Sequence, residues 1–83
     1  MQKQIRWTEQ AKNQLRAIDQ PTAIRILHAL ARFQATGEGD LKRLQEIEPP
    51  EFRLRVGDYR VRFWLDQDTI EITAVKHRRD AYR

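Results

Sequence analysis

Phe52-Arg53-Leu54-Arg55-Val56-Gly57-Asp58-Tyr59-Arg60-Val61-Arg62-Phe63-Trp64-Leu65 is the stretch whose pattern decides the fold. Phe52, Leu54 and Val56 alternate with Arg53 and Arg55, and beyond Gly57-Asp58 the residues Tyr59, Val61, Phe63 and Leu65 alternate with Arg60, Arg62 and Trp64. Successive side chains of a strand point to opposite faces, so each half reads as a strand with one apolar side. A Gly-Asp pair between two such runs predicts a two-residue hairpin turn. Antiparallel pairing about that turn sets Val56 opposite Tyr59, Arg55 opposite Arg60, Leu54 opposite Val61 and Arg53 opposite Arg62.

Four arginines then share one face of the hairpin. Like charges directly opposite one another destabilise a sheet by a fraction of a kcal/mol up to about 1 per pair. A face that only needed to be soluble would mix Thr, Glu and Lys. The plain alternative is a solvated face with arginine stems lying flat over the sheet. The functional reading is an anion site, since guanidinium groups hold phosphates through paired hydrogen bonds and keep their charge at any working pH.

Working outward, a second turn near Asp66 to Asp68 leads to Ile70, Ile72 and Ala74 alternating with Glu71, Thr73 and Val75, a third strand. Continued register places Trp64 opposite Glu71 and Arg62 opposite Thr73. That leaves Glu71 as the one acid of the arginine face, and the quartet largely unneutralised. Upstream, Lys3 to Trp7 reads as a short strand. Thr8 suits a helix cap with Glu9 in the first turn, and Ala11, Leu15 and Ile18 recur at helical spacing through Asp19. Pro21 fits the start of a second helix with apolar positions Ala23, Ile26, Leu27, Leu30, Ala31 and Phe33, and Gly37 closes it. Asp40 to Gln45 reads as an edge strand anchored by Leu41 and Leu44, and Pro49-Pro50 enforces an extended connection. The expected fold is one α+β domain over residues 1–83. In it an N-terminal strand and an antiparallel two-helix hairpin pack on a twisted antiparallel sheet with a short basic tail.

Composition bounds the function. The chain has 83 residues, 16 Lys and Arg against 12 Asp and Glu, and no cysteine. That length excludes large enzyme folds. The missing cysteines exclude disulfides, a thiol nucleophile and a Cys-based zinc site. No apolar run reaches the ~20 residues of a membrane span, and no signal-like segment opens the chain, so the expected compartment is the cytoplasm, with no membrane partner. A net charge of +4 is weak evidence by itself; its placement matters more.

Lys76, His77, Arg78 and Arg79 follow the last strand, with Tyr82 beyond them. A basic cluster ending a chain is often a solvated tail. Here it leaves the strand beside the arginine hairpin and is expected to fold over the same face. His77, among cations that favour its neutral form, is a candidate proton carrier, and Tyr82 either packs its ring on the sheet or stacks on a base. His28 needs no more than helix packing or solvent to explain it. Trp7 belongs to the core, and Trp64, on the arginine face, suits a base platform or a protein-covered aromatic equally.

This order of elements, the hairpin above, and the ending Val75-Lys76-His77-Arg78-Arg79-Asp80-Ala81-Tyr82 resemble the toxins of the RelE/ParE superfamily of bacterial toxin–antitoxin systems. The resemblance runs the length of the chain. RelE-type members are ribonucleases that enter the ribosomal A site and cut messenger RNA by attack of a 2′-hydroxyl on the adjacent phosphate, without a metal or other cofactor. On that likeness the catalytic positions fall on Arg53, Arg55, Arg60, Arg78 and Tyr82, with His77 as the proton-transfer candidate. Arg62, Trp64, Lys76 and Arg79 are RNA-binding candidates.

Arg53 and Arg55 stand where the RelE type carries lysines, and a guanidinium is a poor general base, so either His77 moves the proton or the arginines act only through their charge. The segment Glu46 to Glu51 also lacks the glycine-rich character often found before the hairpin. The implied partners are a cognate antitoxin, with an acidic or amphipathic segment, and the ribosome with its messenger RNA. ParE-type members share the fold but poison DNA gyrase, which makes gyrase the alternative target. A non-catalytic RNA-binding module is a third reading.

Overall fold

The computed structural model describes residues 3–45 and 49–80. Their elements are β1 (Gln4–Trp7), α1 (Glu9–Arg16), α2 (Gln20–Thr36), β2 (Asp40–Gln45), β3 (Glu51–Val56), β4 (Tyr59–Leu65) and β5 (Thr69–His77). The five strands form one sheet in the order β1-β5-β4-β3-β2. Every neighbouring pair is antiparallel except β1 with β5, which is parallel. The sheet is therefore mixed, where the sequence suggested an antiparallel one. A parallel partner requires a crossover connection, and the segment from α1 to β4 supplies it.

Local chemistry sets the helix ends. Thr8 caps α1, its hydroxyl accepting from the Ala11 amide at 3.2 Å. The helix stops at Arg16 rather than running on to Asp19, because Asp19 is itself the cap of α2. Its carboxylate accepts from the Thr22 amide at 3.1 Å and the Thr22 hydroxyl at 2.8 Å. Gly37 ends α2 with φ 75°, its amide donating to the Phe33 carbonyl at 2.8 Å, a left-handed cap that glycine adopts without a Cβ penalty. The hairpin turn has Gly57 at φ 58° with Asp58 on the ordinary side of φ, as a type II′ turn requires.

The core lies between the helices and one face of the sheet. Ala11, Ile26, Leu30 and Phe33 meet Leu54, Val61, Phe63, Ile70, Ile72 and Val75. Phe63 is its centre, with Phe33 tilted against it at 5.3 Å and Phe52 stacked at 5.8 Å between ring centroids. Each such fully buried large side chain contributes roughly 1.5–3 kcal/mol. Trp7 packs at the margin of this cluster, as its alternation implied. Leu27 and Ala31 are exposed, so the buried stripe of α2 is narrower than the sequence suggested and runs along Ile26, Leu30 and Phe33.

Register in β3–β4 is the expected one throughout, including Arg53 opposite Arg62 and Arg55 opposite Arg60. Register in β4–β5 is not. Trp64 does face Glu71 and Phe63 faces Ile72, but Arg62 faces Ala74 rather than Thr73, because a β-bulge at Thr73 inserts one extra residue. Beyond the bulge the alternation of β5 inverts. Val75, expected outside, is buried opposite Val61, and Ala74 moves to the opposite face. The bulge sits where β1 ends: the Thr8 amide donates to the Ile72 carbonyl at 3.0 Å. Past it β5 has no β1 neighbour, and the Val75 amide instead donates to Oε1 of Gln14 on α1 at 2.6 Å. On the far side, β2 is an edge strand as expected, with a second bulge between Arg43 and Gln45.

Candidate nucleic-acid interface

Strand pairing arranges the face turned away from the helices into three cross-strand rows. The first is Asp40, Arg55, Arg60 and Lys76; the second is Lys42, Arg53, Arg62 and Ala74; the third is Glu51, Trp64, Glu71 and, from β1, Arg6. Both facing arginine pairs of the hairpin are present. The bulge adds Lys76 directly opposite Arg60, so the centre of the first row is three cations side by side.

Arg60 is the unusual member of that row. It is buried, at 7% exposure. Its guanidinium curls back over the hairpin turn, where Nη1 donates to the carbonyls of Gly57 and Tyr59, each at 3.1 Å. Its Nε is buried without a partner. An unsatisfied buried donor costs roughly 1–3 kcal/mol, and more when charged, unless something accepts from it. A water molecule or an anion that reached it would meet this demand.

Arg62 differs. Its Nε donates to Oε1 of Glu51 at 2.9 Å, and its Nη2 reaches the same oxygen. Glu51 is itself buried, at 4% exposure. The acid content of the face therefore departs from expectation. Glu51 and Asp40 lie on it as well as Glu71, and Arg62 is neutralised. Glu51 was legible, because continuing β3 by one residue places it opposite Trp64 and diagonal to Arg62. Lys42 and Asp40 needed the register of β2, which its sequence does not supply. Arg53 and Arg55 keep their places beside Arg62 and Arg60, and Trp64 lies half-buried in the third row.

The tail residues divide between the two sides of the sheet. Lys76 joins the basic face, but His77 does not. Opposite Tyr59 and on the helix side, its ring meets the Tyr59 ring edge-on at 5.4 Å, over a depression formed with Gln14, Ala17 and Ile18. The inverted alternation after Thr73 explains the exchange of sides. The Arg78 amide donates to the Asp58 carbonyl at 2.7 Å, and its Nε lies 3.8 Å from the Asp58 carboxylate. Arg78 is thereby tied to the same turn that Arg60 grips. Arg79 is exposed, and its amide donates to Nδ1 of His77 at 3.2 Å. Tyr82 lies outside the described residues. His28 is exposed on α2. Among the described residues no cluster of His, Asp and Glu side chains is suited to a metal ion, and no helix is long and apolar enough to cross a membrane.

Known structures share this architecture. The archaeal RelE–RelB complex from Pyrococcus horikoshii OT3 contains a chain that matches with a TM-score of 0.82 at 22% identity, covering 98% of this chain and 100% of that one. The RelB–RelE antitoxin–toxin complex from Methanococcus jannaschii matches with 0.75 at 22% identity, covering 93% and 94%. The RelBE2 toxin–antitoxin complex from Mycobacterium tuberculosis matches with 0.65 at 26% identity, covering 93% and 99%. No curated protein matches the sequence. The family model for the ParE toxin of type II toxin–antitoxin systems matches residues 5–82, all but the extreme ends of the chain. A helical hairpin on a five-stranded mixed sheet and a match of that length lead to one assignment: the chain belongs to the ParE toxin family, within the RelE/ParE superfamily, and is the toxin of a type II toxin–antitoxin system.

Proposed function

We propose that this toxin is a ribosome-dependent messenger-RNA endoribonuclease. The observation that carries the reading is Arg60, a buried guanidinium with an unpartnered Nε at the centre of a row of cations. Arg55 opposite Arg60 and Arg60 opposite Lys76 are like-charge neighbours, each costing up to about 1 kcal/mol. A face kept at that cost suits a polyanion, and a buried arginine that wants an acceptor suits a phosphate held in one geometry.

In the reaction, the 2′-oxygen of one nucleotide bonds to the adjacent phosphorus as the bond to the 5′-oxygen breaks. The 2′-hydroxyl proton passes to solvent water, and the 5′-oxygen takes a proton from water. Negative charge builds on the non-bridging oxygens between these events. Arg60, fixed by two carbonyls, supplies a preorganised positive charge there, with Arg55 and Lys76 on either side. Arg78, tied to the turn that Arg60 grips, supplies a further cation, and Tyr82 is a catalytic candidate on the family resemblance alone. Arginines do not exchange protons near neutral pH, so the basic face contributes alignment and charge stabilisation. The cognate antitoxin is the partner that silences the toxin.

The second reading, inhibition of DNA gyrase, is favoured by the match to the ParE toxin model and by the His77 imidazole being turned away from the basic face. One experiment separates the two. Purified toxin is added to ribosomes translating a defined messenger RNA, with free RNA as control, and in parallel to a gyrase supercoiling reaction. New 5′ ends that appear only on ribosomes support the ribonuclease. Intact messenger RNA with inhibited supercoiling overturns it in favour of gyrase.

A further inference from the structure

The turn after β5 is organised by His77. Its Nδ1 accepts the Arg79 amide at 3.2 Å, and its carbonyl accepts the Asp80 amide at 2.8 Å, so residues 77–80 form one tight turn closed from both ends. The ring is seated by Tyr59 and by Gln14, Ala17 and Ile18 of the α1 end. Between the two closures, Arg78 turns the other way, with its amide on the Asp58 carbonyl at 2.7 Å. The Gly57-Asp58 turn thus holds Arg60 through the Gly57 carbonyl and Arg78 through the Asp58 carbonyl. An exposed arginine beyond the end of a strand otherwise samples many backbone states, and fixing it costs conformational entropy.

From this geometry we infer that His77 is a positioning residue: as a hydrogen-bond acceptor it locks the 77–80 turn, so that Arg78 is presented beside Arg60, and it moves no proton in the reaction. The inference rests on the ribonuclease reading for Arg78. Its acceptor role requires an Nδ1 without hydrogen, which places the ring proton of the neutral form on Nε2.

The test compares the parent toxin with His77→Ala and His77→Asn in cleavage on translating ribosomes, together with amide hydrogen exchange at Arg78 and Arg79. Asparagine offers Oδ1 to the amide two residues on and does not titrate. The expected result is faster exchange at both amides and a cleavage loss of about tenfold or more in His77→Ala, since misplacing a cation by an ångström is costly. His77→Asn should restore both. Cleavage as weak in His77→Asn as in His77→Ala, with the amides still protected, overturns the inference and makes His77 a proton carrier. Parental cleavage in His77→Ala overturns it as well. If the parent cuts nothing on ribosomes, the ribonuclease reading falls separately, and unchanged Arg78 exchange in His77→Ala then overturns the anchoring role itself.

Discussion

Glu51 and Arg62 lie on neighbouring strands two positions out of register, and their diagonal ion pair withdraws one arginine from the basic face. The carboxylate is almost wholly buried while the guanidinium is partly open to water, at 6% and 40% side-chain exposure. Removing the arginine strands a buried charge, which is the expensive way to break such a pair. Arg62→Ala should therefore lower stability in urea unfolding by roughly 2–4 kcal/mol, and Glu51→Gln by less, because the amide oxygen still accepts. In the double variant, the cost of losing Arg62 should shrink markedly.

Arg60 should show the opposite balance. Arg60→Ala removes the preorganised cation and is expected to reduce cleavage by about 10²- to 10³-fold, with the far-UV circular dichroism unchanged. Arg60→Lys should recover little, since one ammonium does not both bond the turn carbonyls and present a planar donor edge. Arg78→Ala and Tyr82→Ala should likewise abolish growth arrest at equal expression. Full toxicity in all three alanine variants would sink the site.

Binding of single-stranded RNA should weaken linearly with the logarithm of salt concentration. Three or four phosphates held by Arg53, Arg55, Arg60 and Lys76 correspond to a slope of about −2 to −3. Arg55→Ala should make the slope shallower by about 0.7 and weaken all sequences alike. Fluorescence anisotropy with a labelled oligonucleotide checks both.

Acid should loosen the start of α2. The Thr22 hydroxyl and amide donate to Asp19 and hold its carboxyl below the ordinary value of 3.8. A lowered carboxyl stabilises the fold above its unfolded value, and that contribution disappears as pH falls through the folded one. Asp19→Asn keeps a capping acceptor but has no proton to gain. In thermal melts between about pH 5 and pH 2, the parent's advantage over Asp19→Asn should shrink steadily with acid.

The hairpin was legible because two independent signals agree there. The period of two runs unbroken from Phe52 to Leu65, and Gly57-Asp58 can only be a turn. The cap Thr8 and the stop at Gly37 were readable for the same reason, since each side chain or backbone freedom has one use at that place; Asp19 was not, because the helical spacing of Ala11, Leu15 and Ile18 runs straight into it. The fate of the tail was not. Ile72, Thr73, Ala74 and Val75 contain two small or indifferent residues that fit either face, so nothing in the pattern marks where the alternation skips. The skip is forced from outside by the end of β1 and by Gln14 reaching Val75. One unmarked residue therefore decided that Lys76 joins the arginines and that His77 does not. Glu51 was missed for a different reason: it was grouped with the acids before it rather than with the strand it begins.

Lys42 and Arg43 occupy β2 immediately before its bulge, at the outer edge of the sheet. A strand edge is an open row of backbone donors and acceptors that any extended peptide can extend, including a second partly unfolded copy. Two adjacent positive charges and a break in the regular pairing make that edge a poor template. The toxin is thereby guarded against sheet-to-sheet aggregation when its high charge is not yet covered.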